Sequence, residues 1–220
     1  MFNSTIINML IEGTVDTLYM TIFSTFFGYV LGLPLGIVLA MTDKEGIKPN
    51  ATVYKVLDVI VNIFRSIPFL ILLILVMPVT KAIVGKTYGS TATIVPLVIA
   101  AAPFIGRMVE SSLKEVDKGV IEAAQSMGAN TVTIISKVLL SEARTSLLVG
   151  VTIVTGTIFG YSAMAGVIGG GGLGDIAIRY GYHRYETTIM LVTIVILVLL
   201  VQVFQGIGMM LSKKFDRRRV

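Results

Sequence analysis

The chain holds 220 residues, 55% hydrophobic and 14% charged, with a mean hydropathy of +0.87 and a formal net charge of +5. Soluble domains carry roughly 25% charged residues, so this composition describes an integral membrane protein. Cysteine is absent and His183 is the one histidine, which excludes disulfide frameworks, thiolate metal sites and His-rich metal centres.

The N-terminal stretch MFNSTIINML has neither the basic region nor the small-residue cleavage site of a signal peptide, so insertion is expected to come from the spans themselves. Crossing a hydrocarbon core of about 30 Å takes about 20 mostly apolar residues. Five stretches qualify. The first, about Val15–Met41, carries Gly28, Gly32 and Gly36 at every fourth position, a ladder that admits a neighbouring helix at close range. The second, about Val56–Val79, has Pro68 after Phe64-Arg65-Ser66-Ile67, and Pro78 near its far end. The third, about Thr91–Val109, is interrupted by Pro96 and Pro103. The fourth covers about Ser146–Ile168 and the fifth about Thr187–Leu211.

Orientation follows from Lys and Arg. Lys44, Lys48, Lys55, Arg65, Arg107, Lys114, Lys118, Lys137 and Arg144 fall on one side, joined by Lys213, Lys214, Arg217, Arg218 and Arg219 of the tail. Lys81, Lys86, Arg179 and Arg184 fall on the other. The positive-inside rule then sets the N-terminus out and the C-terminus in, with five crossings. The tail itself reads as a topology anchor.

Val116–Ser141 is the longest stretch between spans and is too polar to cross. It carries two helical patterns. Val116, Val120, Ala123, Ala124 and Met127 form one stripe, and Ile134, Ile135, Val138 and Leu139 a second. Gly128 separates them, and Asn130 or Thr131 can cap the second start. The orientation above makes this segment cytoplasmic. A membrane protein with two short helices there is expected to offer them to a partner.

Several apparent motifs fail on context. Gly85-Lys86-Thr87 resembles the end of a phosphate-binding loop, but position 80 is Thr80 where a glycine is required. Gly169, Gly171 and Gly174 have dinucleotide-fingerprint spacing, but a membrane span precedes them in place of a strand. Gly169–Gly172 reads as a tight turn that packs helices, with a gate as the sharper alternative. His183 lies among interfacial tyrosines Tyr180, Tyr182 and Tyr185 and reads as a surface residue. Asn3-Ser4-Thr5 and Asn50-Ala51-Thr52 are chance matches to a glycosylation pattern. The membrane-depth candidates for chemistry are Asp16, Asp58 and Glu110, each near a span end, so no catalytic role is expected.

Glu122, Ala123, Ala124, three residues, then Gly128 resembles the EAA motif of permease subunits in binding-protein-dependent ABC importers. The family pattern continues nine residues later with I-x-L-P. Here Val138 holds the Ile position, Leu140 the Leu position and Ser141 replaces proline, which touches how sharply the second helix ends. Downstream, Gly160-Tyr161-Ser162-Ala163-Met164-Ala165-Gly166, the glycine run and Tyr180-Gly181-Tyr182 are similar to the methionine-type permeases, as is Arg65-Ser66-Ile67-Pro68-Phe69.

That resemblance covers about residues 13–208, taken as the permease domain, with 116–141 as its coupling segment and 209–220 as a basic tail. It implies a type I importer permease fold in the cell membrane, uptake of methionine or related amino acids, and a coupling role for Glu122, Ala123, Ala124 and Gly128. Its implied partners are a second copy, a cytoplasmic ATPase dimer carrying ATP and Mg, an external methionine-binding protein and lipid, with no nucleic acid. No cofactor or metal is expected on this chain. Tyr161 and Met164 are three apart and share a helix face; a soft Met side chain suits a thioether substrate, and Tyr161 and Ser162 can supply hydroxyls along a pathway. Their plain alternative is helix packing. The competing function is an ion-coupled secondary carrier of a small polar solute, which would want paired ionisable residues deep in the membrane and inverted repeats.

Overall fold

The computed structural model describes residues 3–215, so Arg217, Arg218 and Arg219 of the basic tail lie outside the described residues. All regular structure described is helical. α1 (Ser4–Thr42) is followed by α2 (Ala51–Ser66), α3 (Phe69–Leu75) and α4 (Met77–Val84). Then come α5 (Ser90–Lys114), α6 (Lys118–Ser126) and α7 (Thr131–Thr133). A π-turn over Ile134–Leu139 links α7 to α8 (Leu140–Glu142), and α9 (Arg144–Ala165) follows. The chain finishes with α10 (Gly172–Ile176), a second π-turn over Ala177–Tyr182, and α11 (Thr187–Phe215).

Four helices, α1, α5, α9 extended by its last turn, and α11, are long and apolar enough to cross a membrane. A fifth crossing requires α2 and α3 together, and these meet at 104°. The expected continuous span over 56–79 is therefore corrected. Pro68 offers no N–H and crowds its predecessor, so Ile67 turns extended at φ −78 and ψ 124, and the helix ends at Ser66. α5, by contrast, runs unbroken through Pro96 and Pro103, both buried. Packed neighbours tolerate proline inside a span, so the expected interruption of the third stretch does not occur. α1, with 39 residues, starts well before Val15 and is about 58 Å long, more than a hydrocarbon core requires.

The glycine ladder of α1 seats against α5. A Cβ on Gly32 would stand 2.6 Å from the Ile105 Cβ and 2.7 Å from the Ala102 carbonyl oxygen. One on Gly36 would stand 2.6 Å from the Val109 Cβ. Residue numbers rise together along this seam, so α1 and α5 run parallel. α9 packs antiparallel on them: Gly150 lies beside Met108, and the Thr93 hydroxyl donates to the Gly170 carbonyl at 3.0 Å. α11 covers α9 in turn, with Gly156 beside Gln205 and Gly208 beside Thr152. The core runs from Met20, Leu97 and Ile105 to Val154 and Ile158, and then on to Ala124, Ile134 and Leu139. The 116–141 segment is thus packed on one end of the bundle.

The glycine run closes the opposite end. Gly169, Gly171 and Gly172 hold positive φ of 75, 82 and 74. The Leu173 N–H donates to the Thr17 hydroxyl at 2.9 Å, and the Gly89 N–H to the Gly169 carbonyl at 2.9 Å. The loop joins α1, α5 and α9, as expected for a packing turn.

Candidate coupling surface and translocation face

α6 begins at Asp117, whose carboxylate accepts the Gly119 N–H at 2.7 Å. It ends in a left-handed cap. Gly128 sits at φ +79, its N–H donates to the Gln125 carbonyl, and the Ala129 N–H reaches back to the Ala124 carbonyl at 3.0 Å. Asn130 then caps the next start by accepting the Thr133 N–H at 2.9 Å. Without a proline at Ser141 the helical path runs on through Glu142 and re-forms at Arg144 after one junction residue, Ala143.

The first apolar stripe divides. Val116 and Ala124 are buried with Ile134 and Leu139, and Ile121 packs beside them. Val120, Ala123 and Met127, at spacings of three and four, face outward together with Glu122; Met127 is 82% exposed. The expectation of one continuous stripe is corrected, because the cap at Gly128 fixes which side of α6 meets the bundle. Among the four motif residues, Glu122, Ala123 and Gly128 are exposed, whereas Ala124 is a core contact.

Lys118, four residues before Glu122 on α6, pairs with Glu45 of the α1–α2 loop at 2.6 Å. That contact lowers the Glu45 pKa and raises that of Lys118. Asp43, held low by the Glu45 backbone N–H and by Lys114, continues the series. Lys114 reaches both Asp43 and Glu110 at 2.8 Å. Glu110 is 2% exposed and also accepts from Arg107 at 2.7 Å and from the Tyr54 hydroxyl at 3.0 Å. Arg107 in turn binds Asp58 and, at 3.2 Å, Asn62. Asp58 and Glu110 are therefore structural, and they pin α2 to α5. The partners lie as many as 73 residues apart, which no local pattern reveals; carboxylates near span ends were the only trace. A cavity of about 440 Å³ opens between this clasp and α6, lined by Glu45, Ile47, Lys118, Ile121, Glu122 and Gln125.

From the middle of α9 into the turn that follows it, Ile153, Gly160, Met164 and Val167 are exposed. The Tyr161 ring is stacked on Phe69 of α3 at 4.4 Å between centroids. Met164 is 47% exposed on the same face. Ser162 fits the packing alternative. It is 1% exposed, and its hydroxyl donates to the Phe159 carbonyl at 2.8 Å, so it faces the bundle core. Arg65, counted above with the inner cations, stands at the far end of α2, about 21 Å from that helix's start. Sequence reading missed Phe69 as the partner of Tyr161, because the bend that brings it there lies in the α2–α3 junction. Among the described residues no group of three His, Asp or Glu side chains could hold a metal ion.

Residues 32–217 match the family described as binding-protein-dependent transport system inner membrane component. A probable D-methionine transport system permease protein MetI of Vibrio cholerae is 53% identical, covering 96% of this chain and 94% of its own length. The methionine import system permease protein MetP of Bacillus subtilis is 49% identical over 94% and 93%. The fold superposes with TM-score 0.97 on a chain of the MetNI methionine ABC transporter in an inward-facing conformation, at 46% identity over 98% of this chain and 100% of that one. At these identities and this coverage the chain belongs to the family of binding-protein-dependent transport inner membrane components, as a MetI-like permease subunit.

Proposed function

We infer that the chain carries methionine across the cell membrane as the permease subunit of an ABC importer, with ATP hydrolysis on a separate ATPase subunit. The observation that carries the coupling role is the outward stripe Val120, Ala123 and Met127 beside Glu122, on a helix whose other side is locked into the bundle core. A pull or push on α6 would pass to the Ile134–Leu139 turn that shares its core contacts, and from there toward α9. The clustering of Lys44, Lys48, Lys118 and Lys137 at this end supports placing it in the cytoplasm, with the N-terminus out and the C-terminus in and α2–α3 as the fifth, broken crossing.

Two copies related by a two-fold axis would enclose the pathway between their open α9 faces. Tyr161 and Met164 then line it, and an external binding protein delivers substrate at the glycine-closed end. Rigid-body rocking of the two bundles switches access. Glu122, Ala123 and Gly128 form the contact with the ATPase, while Ala124 seats the helix from behind.

Replacing Ala123 by Trp tests the coupling surface. A surface substitution costs the fold less than about 0.5 kcal/mol, so the variant should insert and melt as the parent does while capturing about tenfold less ATPase on co-purification. Unchanged capture with full ATP-driven uptake into vesicles sinks the assignment. Uptake by the parent without ATP would instead favour an ion-coupled carrier.

A further inference from the structure

The bend at Ser66–Pro68 encloses a cavity of about 220 Å³ between α2, α3, α5 and α9. Its walls include Phe64, Phe69, Phe104 and Tyr161, and the residues with polar side-chain groups that line it are Arg65, Thr157 and Tyr161. Ala100 and Phe104, in the middle of α5, line it too, which sets it halfway along the bundle. Nothing in the charge clasp or the coupling surface uses this site.

Arg65 is the anomaly. Arg107 and Lys114 are each answered by two carboxylates. Arg65 has no ion pair among the described residues and is exposed at a depth where a bare cation is costly. A permanent charge is retained at such depth where it meets water and an anion. Guanidinium is the side chain best shaped to hold a carboxylate, through two parallel N–H donors. The rings beside it offer flat apolar surface that suits an unbranched or thioether side chain. The Thr157 and Tyr161 oxygens are the acceptors available to an ammonium group. Sites for drug-sized ligands run to roughly 300–1,000 Å³, so a smaller one suits a free amino acid.

We propose that this cavity is a mid-membrane binding site for a free α-amino acid with an unbranched apolar side chain, held by its carboxylate on Arg65 and by its side chain on the Phe64, Phe69 and Phe104 rings. The assignment rests on the reading of the chain as an importer permease. It gives the pathway a specificity element on this chain, separate from that of any binding protein.

The test uses the assembled permease–ATPase complex without binding protein, and a diazirine analogue of methionine as the photoaffinity probe. Label is expected on segments containing Phe69, Phe104 or Tyr161, competed by methionine and not by methionine carboxamide. Arg65→Gln should lose about tenfold or more of this label, the loss of one charge-assisted carboxylate contact, while still capturing ATPase and hydrolysing ATP. Arg65→Lys should recover part of it. Phe104→Trp fills the cavity with Arg65 intact, should block labelling equally, and decides the matter if Arg65→Gln fails to assemble. Label elsewhere in the chain, equal competition by the carboxamide, or parental labelling of Phe104→Trp overturns the site. Failure of the parent chain to capture an ATPase overturns the importer reading instead, and is seen before any probe is added.

Discussion

Gly128 and Ala123 sit five residues apart in one motif for different physical reasons. A Cβ on Gly128 would meet no atom within 4 Å, so space does not demand glycine there; the backbone at φ +79 does. Gly128→Ala should cost about 1 kcal/mol through left-handed strain, visible as a lower melting midpoint of the permease alone, and should leave ATPase capture within about twofold. A bulky residue at Gly128 mixes that strain with any clash at the partner, which makes Ala123 the cleaner probe of docking. Ala124, adjacent in sequence, faces the other way. The EAA spacing named all of these positions, yet the split between cap, surface and core residue depends on the direction from which the bundle meets α6.

Among the elements, α2 is held from its side and not by its own apolarity: Val61 is its one buried residue among those described, and its anchor is the Tyr54, Asp58 and Asn62 face on Arg107 and Glu110. Removing the Glu110 carboxylate leaves Arg107 and Lys114 each short of a partner beside a buried site. Glu110→Ala is therefore expected to destabilise by about 3 kcal/mol, read as a fall in thermal midpoint in detergent; a change within error would mean the clasp is a surface decoration. α1 was legible in outline, since its glycine ladder announced a close neighbour. Which neighbour was not legible, because α5 begins 48 residues after α1 ends and only packing pairs them. The proline-bearing stretches show the same limit. Pro68 breaks a helix, whereas buried Pro96 in α5 and exposed Pro34 in α1 do not, so neither the proline itself nor its burial marks where a helix ends.

For the whole molecule, the exposed residues of α9 mark the face on which a second copy is proposed to close. A Cβ on Gly160 would meet nothing within 4 Å, so Gly160→Leu should leave the protomer's melting unchanged. It should weaken self-association by roughly tenfold if the second copy closes on this face, as light scattering of the purified chain would report. An unaltered dimer would move the interface off α9. Composition and span length by themselves determined a polytopic helical protein, because burial in lipid imposes apolar length and every span must satisfy its own backbone bonds, and the EAA spacing pointed to a permease. Only the tertiary structure decided that the second span is broken at Pro68, that Ser162 faces inward, that Tyr161 stacks on Phe69, and that Arg65 stands alone beside an aromatic cavity. Those facts rest on helices far apart in the chain meeting at particular rotations, and sequence patterns along one helix do not encode the angle at which another arrives.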